Sequence, residues 1–309
     1  MFDDYDDPLQ KDEHYFGRST LDGEGNKIIE VYGSDVDGER RFREELITEA
    51  KIGTWLDKYD STTSRTLLRV FVCAPEQHKS DAEVIALPFS CATLQAIRQK
   101  WSLLRTTSGG IMLRGGRSKD RDYCVATTKC ATAGIVNCFV HGLQANEIVD
   151  MKRCLRESKF FAHHAMLLPL ILVEWKIHHF AVLLERRTRY LASVEKDTGL
   201  IHGAADDPDA NISPQERIKR LEEIDFGRIT QKLTGLLGTL YFCGLTFQGG
   251  LDSLELIEEV SKGSQELPNC FVRRITYLKG LIAGAEDSKR LLEARAQAQA
   301  DTVNSLISQ

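Results

Sequence analysis

The chain has 309 residues, of which 42% are hydrophobic and 28% charged, with a formal net charge of -5. That length can bury a substantial core in one large or two modest domains. The acidic balance argues against a dedicated nucleic-acid binder, whose phosphate contacts need clustered Lys and Arg, and the one compact basic stretch, Arg114 to Arg121, is broken by Gly and Asp and reads as a solvated loop between strands.

Taken in order, residues 1–26 are acidic and turn-rich and read as a flexible arm. Asp22 to Asn26 has the flavour of a calcium loop, but Lys27 and Gly33 stand where that pattern needs Gly and Glu, so a turn into a strand at Lys27 to Tyr32 is expected. Residues 38–60 read as a polar helical stretch. Thr66 to Cys73 is a strand that ends at Ala74-Pro75, and Glu83 to Leu87 is a second short one. Ser90 caps a helix that runs to Trp101. Gly109 to Gly116 and Tyr123 to Thr128 form a hairpin around the basic loop, and Ile135 to His141 is a further strand.

From about residue 145 the composition turns helical. Asn146 to Glu157 is one helix and Ala165 to Lys196 a second, long one. Ile201 to Ile212 is a connecting loop. Ser213-Pro-Gln-Glu216 has the residues of a helix start, with Ser at the N-cap, Pro at N1 and Glu at N3. The helix it opens is expected to reach about Thr246, with a shorter one over Leu251 to Ser261. Two of these stretches resemble membrane spans. Ala165 to Leu184 carries Pro169, Glu174, Lys176, His178 and His179, each charge costing roughly 2.5–3.5 kcal/mol near a bilayer centre. Leu233 to Leu251 is uncharged but holds five glycines and continues the helical period of Ile218, Leu221 and Ile224. Both read as buried helices.

The last helix begins near residue 270, after Leu267-Pro-Asn269. Steps of four and three from Phe271 reach Ile275, Leu278, Ile282, Ala285, Lys289, Leu292, Ala296, Gln299, Val303 and Leu306, a seam apolar at all but Lys289 and Gln299. Two readings stay open: a helix packed on its own domain, and a stalk whose seam self-associates. The fold class expected is α+β. A mixed α/β subdomain over 27–145 is followed by a helical one over 146–309, which ends in a stalk-like helix over 270–309.

The eight cysteines (73, 91, 124, 130, 138, 154, 243 and 270) include no C-x-x-C pair and sit mostly in apolar surroundings. With an acidic start at Met1 to Asp7 and no secretory leader, they place the chain in the reducing cytoplasm, and at the cytosolic face of a membrane if the natural chain is longer. There is no G-x-S-x-G, H-E-x-x-H, P-loop or Rossmann pattern. Cys138 and His141 lie close in sequence without a third partner and read as core residues. His163-His164 and His178-His179 are fifteen residues apart, about 22 Å along a helix, too far to share one metal ion. Asp206, Asp207 and Asp209, or Asp252 with Glu255, are oxygen ligands of the type Mg²⁺ takes, although exposed carboxylates are common. No catalytic residue is assigned.

The segments "HHAMLLPLILVEWKIHHFAVLLERRTRYLASVEKDTG", "LTGLLGTLYFCGLTFQGGLDSLELIEE" and "LEARAQAQADTVNSLISQ", in this order after a mixed α/β region, resemble the cytosolic portion of fungal CorA-like magnesium transporter proteins. The likeness covers roughly residues 85–309. The signature of the last helix falls here on Arg295, Gln297 and Gln299, followed by Val303, Leu306, Ile307 and Gln309. The resemblance implies a last helix that continues into the membrane, pentameric assembly, and Mg²⁺ bound between cytosolic domains to hold a pore closed. The sequence departs from that pattern: it has no span after the stalk, and its four methionines, Met1, Met112, Met151 and Met166, include no Gly-Met-Asn. The expectation is therefore a sensor or regulatory domain without a pore, self-associating through its terminal helix and co-assembling with full-length relatives. Mg²⁺ is implied by the resemblance alone, with its ligands unknown. The alternatives are a helical scaffold or adaptor, and an enzyme whose site carries no familiar motif.

Overall fold

The computed structural model describes residues 25–34, 39–57, 64–73, 89–101, 111–116, 122–130, 133–198, 224–264 and 267–308. It confirms the α+β class. Strands β1 (Lys27–Ser34), β2 (Arg40–Leu46), β3 (Ser64–Val72), β4 (Ile111–Gly116), β5 (Asp122–Lys129) and β6 (Val136–His141) form one sheet in the order β2-β1-β3-β6-β5-β4. β3 and β6 are parallel, and every other pairing is antiparallel. The helices are α1 (Glu49–Asp57), α2 (Cys91–Trp101), α3 (Ala145–Glu157), α4 (Leu167–Thr198), α5 (Phe226–Ser264) and α6 (Asn269–Ile307).

The chain divides into two compact units. One comprises residues 1–173 and 255–267, the other 174–254 and 268–309. The division therefore cuts α4 after Val173 and α5 after Leu254, whereas composition suggested a boundary near 145. Helical content changes at 145, but α3 and the start of α4 belong with the sheet.

In the first unit the sheet is covered on both faces. Ile28, Phe71, Cys73, Ala126 and Phe139 point to one face, where they form a core with Ile52, Trp55 and Leu56 of α1, Leu94, Ile97 and Trp101 of α2, and Phe89. Phe71 stacks on Phe139 at 6.0 Å and Trp55 meets Trp101 edge-on at 5.4 Å. On the opposite face Arg156 of α3 lies 4.8 Å over the Phe42 ring, Lys152 reaches Glu44, and Tyr123 donates to the Leu172 carbonyl at 3.2 Å. Double coverage explains why Leu68 to Cys73 and Val136 to Val140 are buried at every position, reading as runs and not as alternation.

The structure corrects two expectations here. Residues 40–46 form a strand, not the first half of a helix; only Glu49–Asp57 is helical. β2 is an edge strand with five charged residues in seven, a composition that blunts edge pairing and hides the strand's period. Asn26, placed in the arm, is fully buried and its carbonyl accepts the Ile47 N–H at 2.9 Å. The rest of the arm, the strand at Glu83 to Leu87, the loop at Ile201 to Ile212, the start at Ser213 to Glu216 and Gln309 lie outside the described residues.

The second unit is a three-helix coil. Its α5 core positions repeat in steps of four and three: Ile229, Leu233, Leu236, Leu240, Cys243, Phe247, Gly250 and Leu254. α4 follows the same spacing at Ile177, Phe180, Leu184, Arg187, Leu191 and Val194. A sustained 3.5-residue repeat keeps one stripe of each helix facing its partners. Two expectations fail on α5. Its described helix starts at Phe226, where the Asp225 carboxylate accepts the Arg228 N–H at 2.9 Å, so no helix runs unbroken from 213 to 246. Nor does the helix break at Gly249-Gly250, because Gly250 occupies a core position where an added Cβ would lie 3.4 Å from both Ile177 and Ile282. A close helix approach there outweighs the roughly 1 kcal/mol per glycine in helix propensity. By length and composition α4 is the one described helix apolar enough to cross a membrane, and 56% of its most apolar window is buried inside the protein.

Candidate functional site

The terminal helix carries the positions that the sequence singles out. Phe271, Ile275, Leu278, Ile282, Ala285, Leu292, Ala296, Gln299 and Val303 are its buried residues, and Leu306 is half-buried. Their partners lie within the same chain. Arg274 and Arg295 of α6 pair with Glu174 and Glu195 of α4, so those helices run parallel. Gly250 and Gly244 of α5 face Ile282 and Lys289 of α6, so that pair runs antiparallel. The seam is thus filled by α4 and α5, which is the packed-on-its-own-domain reading.

The polar positions in the coil have specific work. Arg295 holds Glu195 through two hydrogen bonds, Nε to Oε1 at 3.2 Å and Nη2 to Oε2 at 2.6 Å. Glu195 is buried, and a bidentate charge-assisted pair offsets much of the cost of dehydrating it. Gln299 is fully buried in the seam, whereas Gln297 is exposed and donates to Asp301 at 2.9 Å. Lys289 enters the seam between Glu293 at 3.2 Å and Glu286 at 3.7 Å. Its stem runs across Gly244, where a Cβ would sit 2.8 Å from Lys289 Cε. Burial pushes the neighbouring Cys243 thiol up to about 11, so it stays protonated at neutral pH.

The sandwich unit holds a second polar cluster, which the sequence did not signal. Glu30 is buried under the α1 side of the sheet, where its Oε1 accepts from Trp55 Nε1 at 2.9 Å and from Arg69 Nε at 3.3 Å. Arg69 donates to the Trp55 carbonyl and lies 4.2 Å over the Trp55 ring, and Tyr32 donates to the other carboxylate oxygen. Burial, then the Glu30 carboxylate, push the Tyr32 hydroxyl up to about 12. Both charges are almost wholly enclosed, and each oxygen and nitrogen used has a partner inside the protein. The cluster locks α1 to β1 and β3.

The remaining candidates separate. Cys138 and His141 point to opposite faces of β6: Cys138 accepts from Thr127 at 3.4 Å, and His141 pairs across the strand register with Cys124. They make no catalytic dyad. Burial drops the His141 imidazole to about 4, holding it neutral. His164 caps the turn before α4, its Nδ1 accepting the Met166 N–H at 3.2 Å, and His178 lies against Tyr277. Among the described residues no three His, Cys, Asp or Glu side chains converge as a metal cage. Asp252 and Glu255 are exposed on α5, and Asp252 accepts from Gln248 at 2.8 Å. Asp206, Asp207 and Asp209 lie outside the described residues. No protein-family model and no curated protein matches the chain.

Proposed function

We propose that the chain is a CorA-like cytosolic regulatory domain, a non-catalytic module that works by associating with copies of itself or with full-length relatives at the cytosolic side of a membrane. The observation that carries the reading is the order of parts. One sheet built from residues 27–141 between helical layers is followed by long helices, the last of which closes a coil. A plain helical scaffold would not contain that sheet. Mg²⁺ receives no step in this reading, because the described residues do not assemble a site for it within one chain.

The filled seam changes how association would occur. Copies would meet on the outer faces of the coil unit, where Leu291 is 63% and Ile307 56% exposed on α6, and Tyr241 67% and Leu245 55% exposed on α5. Large apolar residues left in water gain roughly 25 cal/mol per Å² on being covered. Sedimentation velocity at tens of micromolar tests this. Reversible oligomers that Leu291→Lys weakens without altering the helical circular dichroism are expected. A strictly monomeric protein would overturn the reading.

A further inference from the structure

α5 of the coil unit carries a second regular row, on the side away from its core. From Arg228 to Asp252 its exposed positions follow one another in steps of three and four, as the core positions do. Between those two ends the row is uncharged: Gln231, Thr234, Gly238, Tyr241, Leu245 and Gln248, with Gly235 beside Thr234. The exposed faces of the other two helices differ, α4 showing Glu185, Arg186 and Arg189, and α6 showing Asp287, Arg290 and Asp301. Charge is what normally keeps a helix face in water, so about five turns without it mark a face suited to being covered.

The row has knobs and holes of its own. Tyr241 and Leu245 are large apolar side chains one turn apart, and both stand mostly in water. Gly235 and Gly238 are bare backbone, and among the described residues a Cβ added at either meets nothing within 4 Å. A glycine in mid-helix weakens the helix relative to Ala; it is useful where another backbone or a large side chain comes close. Reversing the row about the level of Leu240 sets each of these features against its complement. Positions 228 and 252 are each twelve residues from Leu240, and positions 235 and 245 each five. Leu245 therefore falls on Gly235 of a reversed copy, Tyr241 falls beside Gly238, and Arg228 falls opposite Asp252 at both ends. The Asp252 carboxylate accepts from Gln248 at 2.8 Å, and a carboxylate has room for a guanidinium as well. Within one copy Arg228 and Asp252 are about 36 Å apart along the axis and cannot pair.

We infer that α5 is a dimerisation helix: a second copy of this chain covers the row, the two α5 helices running antiparallel about a two-fold axis at the level of Leu240. A two-fold contact uses the same patch twice, and this patch is complementary to itself in shape and in charge. Two tyrosines and two leucines supply the apolar anchors, seated on four glycines, and two Arg228–Asp252 pairs fix the register at the rim. The inference rests on the self-association proposed above and gives it one face and one symmetry.

The test is sedimentation velocity of the full chain at tens of micromolar in low salt, with a charge-swap series. A dimer is expected. Arg228→Asp or Asp252→Arg alone sets like charges at both ends of the contact and should weaken dimerisation about tenfold. The two together restore the pairs and should bring it back to within about threefold of the unsubstituted chain. Gly238→Gln fills a hole with a polar side chain. Dimerisation should weaken about tenfold, while the melting temperature of dilute protein rises because Gln is the better helix former. That rise separates a blocked contact from a damaged fold. Oligomers that none of these substitutions weakens, or single-variant losses that the double variant does not recover, would overturn the inference and leave self-association through another face standing. A strictly monomeric chain would overturn both, the row then being covered by something other than a second copy.

Discussion

The two units reach stability by different routes. The sandwich depends on partners far apart in sequence: Glu30, Trp55 and Arg69 form one cluster, and Phe71, Phe89 and Phe139 form one aromatic core. The coil repeats one local rule along three helices, a core residue every three or four positions, and Arg274, Lys289 and Arg295 beside its seam each meet a carboxylate. A single defect should therefore act differently in each. In the sandwich it leaves a buried charge stranded; in the coil it opens one layer of many.

The largest effect is expected from Arg69→Leu, which strands the buried Glu30 carboxylate and should lower stability by about 3–5 kcal/mol in chemical denaturation. Adding Glu30→Leu should recover part of that loss, because the uncompensated charge is then gone. If the double variant is no better than the single, the cluster is not an ion pair in energetic terms. Ile275→Ala in the coil should cost about 2–4 kcal/mol through a cavity in one seam layer. The matching Leu306→Ala, at a half-buried position, should cost much less. Equal costs would contradict the graded closure of the seam.

Acid sharpens the contrast, since it acts on the sandwich through His141. In the unfolded chain this imidazole takes up a proton as pH falls through 6.5, but in the folded protein it does so only near 4. Its contribution is therefore complete above pH 6.5 and is lost as pH falls from there toward 4, up to about 3 kcal/mol. His141→Gln should flatten the stability profile over that window. An unchanged profile would show that the imidazole is not held neutral. The smallest effect is a gain. Gly280 is exposed in mid-helix with open space where a Cβ would stand, so Gly280→Ala should stabilise by about 1 kcal/mol. A loss would show that something packs on that face.

The period of the coil could be read directly from the sequence. Steps of four and three from Phe271 identify the buried face of α6, and the positions of α3, β3, β5 and β6 follow from apolar runs and their stops. What the sequence could not convey was the identity of the partner. A heptad seam is the same pattern whether its holes lie in a second copy or in α4 and α5, and a single chain's periodicity carries no information on that choice. β2 was hidden because an edge strand rich in Arg and Glu has no apolar alternation. Gly249-Gly250 looked like a helix end because propensity is local, while the close approach of Ile177 and Ile282 is not. The Glu30 cluster was unreadable for the same reason: Glu30, Trp55 and Arg69 are separated by 14 to 39 residues and meet only where α1 packs on β1 and β3.

The most direct test of the account is hydrogen exchange across α6, followed at low and at high protein concentration. If α4 and α5 fill the seam within one chain, amides from Ile275 to Val303 are strongly protected at both concentrations, and association adds protection only on other faces. If those amides exchange freely in dilute protein and become protected only as copies associate, the seam belongs between chains, and the coil described here is not the state of the free molecule.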